Sequence, residues 1–104
     1  MDGVFKALAD GSRRELLDRL RAENGQTLNE LCVRLTMTRQ AVSKHLAILE
    51  DANLVATMRR GREKRHYLNP VPIHEIADRW IGKFERSRLQ ALSDMKKALE
   101  TRDE

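Results

Sequence analysis

Apolar positions recur at helical spacing through the first half of the chain, and short polar breaks divide them. Val4, Phe5 and Leu8 share one face of a short first helix, which Asp10-Gly11-Ser12 interrupts. Ser12 followed by Glu15 has capping-box spacing and opens a second helix that buries Leu16, Leu17 and Leu20 and ends near Asn24-Gly25. Thr27 and Glu30 repeat the signature before a third helix with Leu28, Leu31, Cys32 and Leu35 on one stripe. After a tight Thr36-Met37 turn, Thr38 caps a fourth helix that runs to about Asp51. Val42, Leu46 and Leu49 form its apolar stripe, and Gln40, Ser43, Lys44 and Ala47 lie opposite. Two short helices joined by such a turn predict a helix-turn-helix over residues 27–51.

The period then shortens. Val55 to Arg59 and Arg65 to Leu68 flank Gly61, which predicts a hairpin with a basic tip within residues 54–68. Asn69-Pro70-Val71-Pro72 ends it, and a last helix is expected over 73–100, a rod of about 40 Å. Ile73, Ile76, Trp80, Phe84, Ala91 and Met95 form a stripe along that helix. A domain of this length has a radius of gyration of about 13 Å, so its other elements cannot cover the whole stripe, and the surplus calls for a second chain. The expected fold is one mainly α domain with a small β-hairpin, residues 1–104. It is a winged helix-turn-helix with a long C-terminal dimerisation helix.

Charge sharpens this picture. The formal excess of +4 lies wholly between Thr57 and His66, where Arg59, Arg60, Arg62, Lys64 and Arg65 face one acid, Glu63. A surplus packed so tightly predicts an anion-binding feature, and DNA phosphate is the commonest target for one. A recognition helix entering the major groove needs an outer face of small polar, amide and basic side chains. Thr38, Arg39, Gln40, Ser43 and Lys44 meet that need: glutamine suits adenine edges, arginine suits guanine, and Lys44 suits either a base or a phosphate. The basic hairpin would lie along flanking phosphates or enter the minor groove.

From about Phe5 to Leu99 the chain resembles the ArsR/SmtB family of bacterial winged-helix repressors. The matching stretches are Phe5-Lys6-Ala7-Leu8-Ala9-Asp10, Arg13-Arg14-Glu15-Leu16-Leu17, Ala41-Val42-Ser43-Lys44-His45-Leu46, Leu54-Val55, Gly61-Arg62-Glu63 and Tyr67-Leu68-Asn69-Pro70. The tail, with Trp80, Phe84, Arg88-Leu89 and Leu92, is similar to a subgroup without evident metal ligands. Gly11 stands where the family often has proline, and Thr36 where its turn often has glycine. The resemblance implies a homodimer joined through the first and last helices, with Phe5, Leu8, Ile76, Trp80, Phe84, Ala91 and Met95 at the interface. It also implies an approximately palindromic double-stranded operator.

Founding members of the family bind thiophilic metals through cysteines on the third helix. Cys32 falls at one such position, but Thr27 and Asn29 replace the upstream partners, and one sulfur does not make a site. Cys32 is expected to be buried for packing, with a redox role as the alternative. His45 is expected to pack and bond to backbone, with a phosphate contact as the alternative; His66 is expected to point outward, and His74 to lie on the surface. No phosphate loop, carboxylate pair or nucleophile–base arrangement supports an enzyme, and no cofactor or metal is expected. No apolar run approaches the roughly 18 residues of a membrane span. Met1-Asp2-Gly3 opens no signal peptide, and one cysteine builds no internal disulfide framework, so a cytoplasmic protein is expected. Two other readings stand beside the DNA-binding repressor: a repressor switched through Cys32, and a winged helix that docks a partner protein.

Overall fold

The computed structural model describes residues 1–82 and 86–102. Contacts group the chain into two units, Met1–Pro72 and Ile73–Glu104. In the first, α1 (Asp2–Leu8), α2 (Gly11–Ala22), α3 (Leu28–Val33) and α4 (Arg39–Asp51) precede an antiparallel hairpin of β1 (Val55–Arg60) and β2 (Glu63–Leu68).

Each helix start has a local cause. Thr27 Oγ1 accepts from Glu30 N at 3.2 Å, and Thr38 Oγ1 accepts from Ala41 N at 3.1 Å, so both threonines cap as expected. The expected Ser12 cap is corrected: Asp10 caps α2, its Oδ1 accepting from Ser12 N at 2.8 Å and Arg13 N at 3.1 Å. The helix begins at Gly11, so Ser12 already lies inside it, and a carboxylate two residues earlier reaches both free amides.

The core of this unit comes from every helix. Leu16, Leu20, Leu31, Val42, Leu49 and Leu54 are fully buried, and Leu17, Leu35, Leu46 and Val55 nearly so. Each buried leucine contributes roughly 1.5–3 kcal/mol of apolar transfer. On α1 the fully buried residue is Ala7. Val4 and Leu8 are half-buried against the core, and Phe5 is 42% exposed, so the α1 face is narrower than expected. Leu35 lies beyond the end of α3 but remains in the core.

The hairpin strands extend slightly beyond the expected ones and pair from Val55↔Leu68 to Arg60↔Glu63, which leaves Gly61-Arg62 as a two-residue loop. The backbone φ is +63° at Gly61 and not positive at Arg62, the pattern of a type II′ turn. On its other side β2 bridges to Gln26. Gly25 has φ +81°, and a Cβ there would stand 3.0 Å from the Tyr67 ring; glycine is needed on both counts.

The last helical region begins at Val71 and not Ile73. Pro72 fits in the first turn of α5 (Val71–Ile81), where its missing N–H costs nothing. The single helix expected over 73–100 is also corrected: α5 ends at Ile81 with Gly82 in a turn, and a separate helix, α6, spans Arg86–Arg102. Leu89, Leu92, Met95 and Leu99 on α6 are exposed, as are Trp80 and Ile81 on α5. No described helix is long and apolar enough to cross a membrane.

Candidate nucleic-acid interface

Helix α4 is held by its apolar stripe, Val42, Leu46 and Leu49, against the core. That anchoring turns Thr38, Arg39, Gln40, Ser43 and Lys44 to solvent, all five exposed, on the first two turns. Between α3, α4 and the hairpin runs a groove of about 550 Å³, lined by apolar Leu28, Leu46 and Ala47, by basic Arg39, Arg62 and Lys64 and by acidic Glu30, Glu50 and Glu63. Arg39 Nη1 donates to Asn29 Oδ1, which steadies one arginine on α4 from the neighbouring helix.

The basic residues of the hairpin fall into two groups. Arg59, Arg60 and Arg62 are exposed around the Gly61 turn. Lys64 and Arg65 are drawn to acids instead: Lys64 Nζ lies 3.5 Å from Glu50 Oε1, and Arg65 lies 2.5 Å from Glu63 and 3.8 Å from Glu30. Arg65 Nη1 also donates to Gly25 O at 2.7 Å, and its side chain is only 28% exposed. The local charge count made these two look equivalent to the arginines; their neighbours on α3 and α4 set them apart.

His66 requires a correction. It is buried, not outward, with Nδ1 2.9 Å from Gln26 O, and its backbone N–H donates to the same carbonyl at 2.8 Å. The cause is the extra pairing with Gln26. This puts His66 between β1 and the α2–α3 connection, and Gln26 Nε2 in turn donates to Glu23 O and Arg19 O. Asn24 Oδ1 accepts from Leu68 N at 2.8 Å. The base of the hairpin is therefore bonded to residues 24–26. The sequence marks a turn at Asn24-Gly25 but not its bonding to the hairpin, because no local signal marks a pairing across forty positions.

His45 is half-buried, and its partner is a side chain: Arg13 Nη1 approaches Nδ1 at 3.3 Å. The expected backbone bond is replaced because Arg13 reaches across from α2. The Asp10 carboxyl nearby is held below its usual range, first by the Arg13 amide and then by the Arg13 charge and the Ser12 amide.

Cys32 is a free thiol, half-buried and packed against the core. Among the described residues, no three His, Cys, Asp or Glu side chains group to hold a metal ion. His74 is exposed. Of the residues expected at a dimer interface, Phe5, Trp80, Ala91 and Met95 are exposed, Leu8 and Ile76 half-buried, and Phe84 lies outside the described residues.

A helix-turn-helix domain family matches residues 8–57. A Bacillus subtilis (strain 168) protein described as the uncharacterized HTH-type transcriptional regulator YuzN is 43% identical over 86 residues, covering 77% of this chain and 94% of that one. The transcriptional repressor SdpR of the same strain is 29% identical over 84 residues, covering 81% of this chain and 91% of its own. The solved structure of an ArsR-like transcriptional regulator from Rhodococcus sp. RHA1 superposes with a TM-score of 0.71 at 33% identity, covering 96% of this chain and 90% of that chain. These likenesses span the helices, the hairpin and most of the tail, and the chain belongs to the ArsR-like helix-turn-helix transcriptional regulators.

Proposed function

We propose that the protein is a homodimeric repressor that reads an inverted-repeat operator. The observation that carries this reading is the division of α4: its apolar stripe is wholly buried, and its opposite face offers Gln40, Ser43 and Lys44 with no large apolar group among them. Such a face suits base edges in the major groove. Arg59, Arg60 and Arg62 take backbone phosphates beside it, and Lys64 and Arg65 brace the hairpin through their acids. The repressor assignment follows the relative of that description, and operator occupancy would exclude polymerase in the cytoplasm.

The dimer part of the proposal is supported by apolar surface. Trp80 is 53% exposed and Met95 56%, and α5 and α6 also expose Ile81, Leu92 and Leu99. At about 25 cal/mol per Å², several such side chains left in water cost an amount comparable to the whole stability of a small domain. A second copy would cover them and set the two α4 helices near one turn of DNA apart, about 34 Å.

Selection of the operator from a random library, followed by footprinting, tests the proposal. The recovered site should be an inverted repeat. Gln40→Ala should cost about 1–3 kcal/mol on that site and much less on random DNA. Equal losses on both would show that Gln40 positions the protein and does not read sequence.

A further inference from the structure

All three nitrogens of the Arg13 guanidinium are engaged, and they join three elements. Nε donates to Ala7 O at 2.9 Å and Nη2 to Lys6 O at 3.1 Å, both carbonyls at the C-terminal end of α1. Nη1 reaches His45 Nδ1 at 3.3 Å on α4, and Asp10 Oδ2 stands 3.9 Å from the same nitrogen. The Arg13 side chain is only 15% exposed, which makes this an interior tie and not a surface pair. Arg14 adds a third bond from α2 to α1, Nη1 to Leu8 O at 2.7 Å.

The arginine side chain has only donors, so a hydrogen bond from Nη1 to His45 needs an unprotonated Nδ1, the tautomer with the ring proton on Nε2. His45 follows Lys44 and precedes Leu46, between an exposed reading residue and a core anchor. We propose that Arg13 is a positioning residue for DNA recognition: it locks α4 to the end of α1 through His45, so that the placement of α1 sets the placement of the reading face. Under the dimeric reading proposed above, on which this rests, α1 carries Phe5 and Leu8 toward the partner. The tie therefore couples assembly to recognition. It is rigid because the guanidinium fork is planar and its other two nitrogens each donate to an α1 carbonyl.

Two readouts on the full-length protein test this. In nitrogen-detected imidazole spectra without DNA, His45 should show the Nε2–H tautomer, and Arg13→Gln should shift its Nδ1 signal. On the selected operator, Arg13→Gln and His45→Leu should each weaken binding by roughly tenfold. The salt slope should not change, because no phosphate contact is lost. His45→Asn, which keeps an acceptor near the Nδ1 position, should bind within about twofold of wild type, and the double variant should be no weaker than the worse single one. An Nδ1–H tautomer, a slope that falls by about one unit, additive losses, or Asn behaving like Leu would each overturn the proposal. If Arg13→Gln does not fold, the His45→Leu and His45→Asn comparison decides the matter alone. If the wild-type chain selects no DNA, the repressor reading fails, and the tautomer still reports on the tie.

Discussion

Helices α4 and α6 both carry apolar residues at helical spacing, but the two stripes have opposite fates. On α4, Val42, Leu46 and Leu49 are at most 2% exposed, covered by α2, α3 and β1. On α6, Leu92, Met95 and Leu99 are each more than half exposed. Periodicity therefore shows that a helix has a face to bury and leaves open whether the same chain supplies the cover. The difference separates a self-sufficient unit from a stretch whose stability depends on what it meets.

The sharpest break of this comparison is a pair of matched truncations. Leu49→Ala should cost about 2–5 kcal/mol of unfolding free energy, because the site is closed on all sides and leaves a cavity. Leu92→Ala should cost far less per chain in urea titrations at the lowest workable concentration, and its effect should grow with concentration if a second copy covers it. Leu92→Glu with Met95→Glu carries the test further: sedimentation at low micromolar concentration should move from dimer to monomer. A monomeric wild-type chain would refute the dimer.

A smaller effect sharpens the contrast within the hairpin. Replacing Arg59, Arg60 and Arg62 by alanine should weaken all DNA alike and flatten the salt dependence by about one unit for each lost phosphate contact. Lys64→Ala should barely change that slope, since Glu50 already holds its charge. Equal slope changes for Lys64 and Arg62 would show that the ion pair opens on DNA.

The smallest effect concerns the cap of α2. The folded Asp10 carboxyl titrates below its usual value, so its contribution is fully present above the ordinary carboxylate range and is lost as pH falls through the folded value. Urea midpoints followed from about pH 5 to about pH 2 should fall more for wild type than for Asp10→Asn, which caps without titrating. Parallel curves would place the acid sensitivity elsewhere.

What was legible in the sequence was local. The stripe on α4, its outward face and the threonine caps depend on residues within a turn or two of each other, and all are present. The inward turn of His66 was not legible: both faces of β2 mix charged and larger side chains, and the choice between them rests with Gln26, forty positions away. The ion pairs that divide the basic residues were not legible for the same reason, since Glu30 and Glu50 lie on other elements. Ser12 and Asp10 are both good caps two residues apart, and only the start of the helix at Gly11 decides between them. Nothing in the sequence assigns Arg13 a partner; its contacts arise only where α1 and α4 come together beside it.

The bonding of β2 to Gly25 and Gln26 also divides the hairpin by timescale. The amides of Gly25, Gln26 and His66 are all donors in that pairing, so they should exchange with solvent deuterium together and only when the whole unit opens. Toward Gly61 the strand backbones pair only with each other, with the Lys64–Glu50 ion pair as a side-chain brace, and every residue from Arg59 to Lys64 is exposed, so those amides should exchange through brief local opening. The hairpin then behaves as an arm clamped at its root and compliant at its tip, able to follow a bend or a change of groove width without disturbing the fold that carries it.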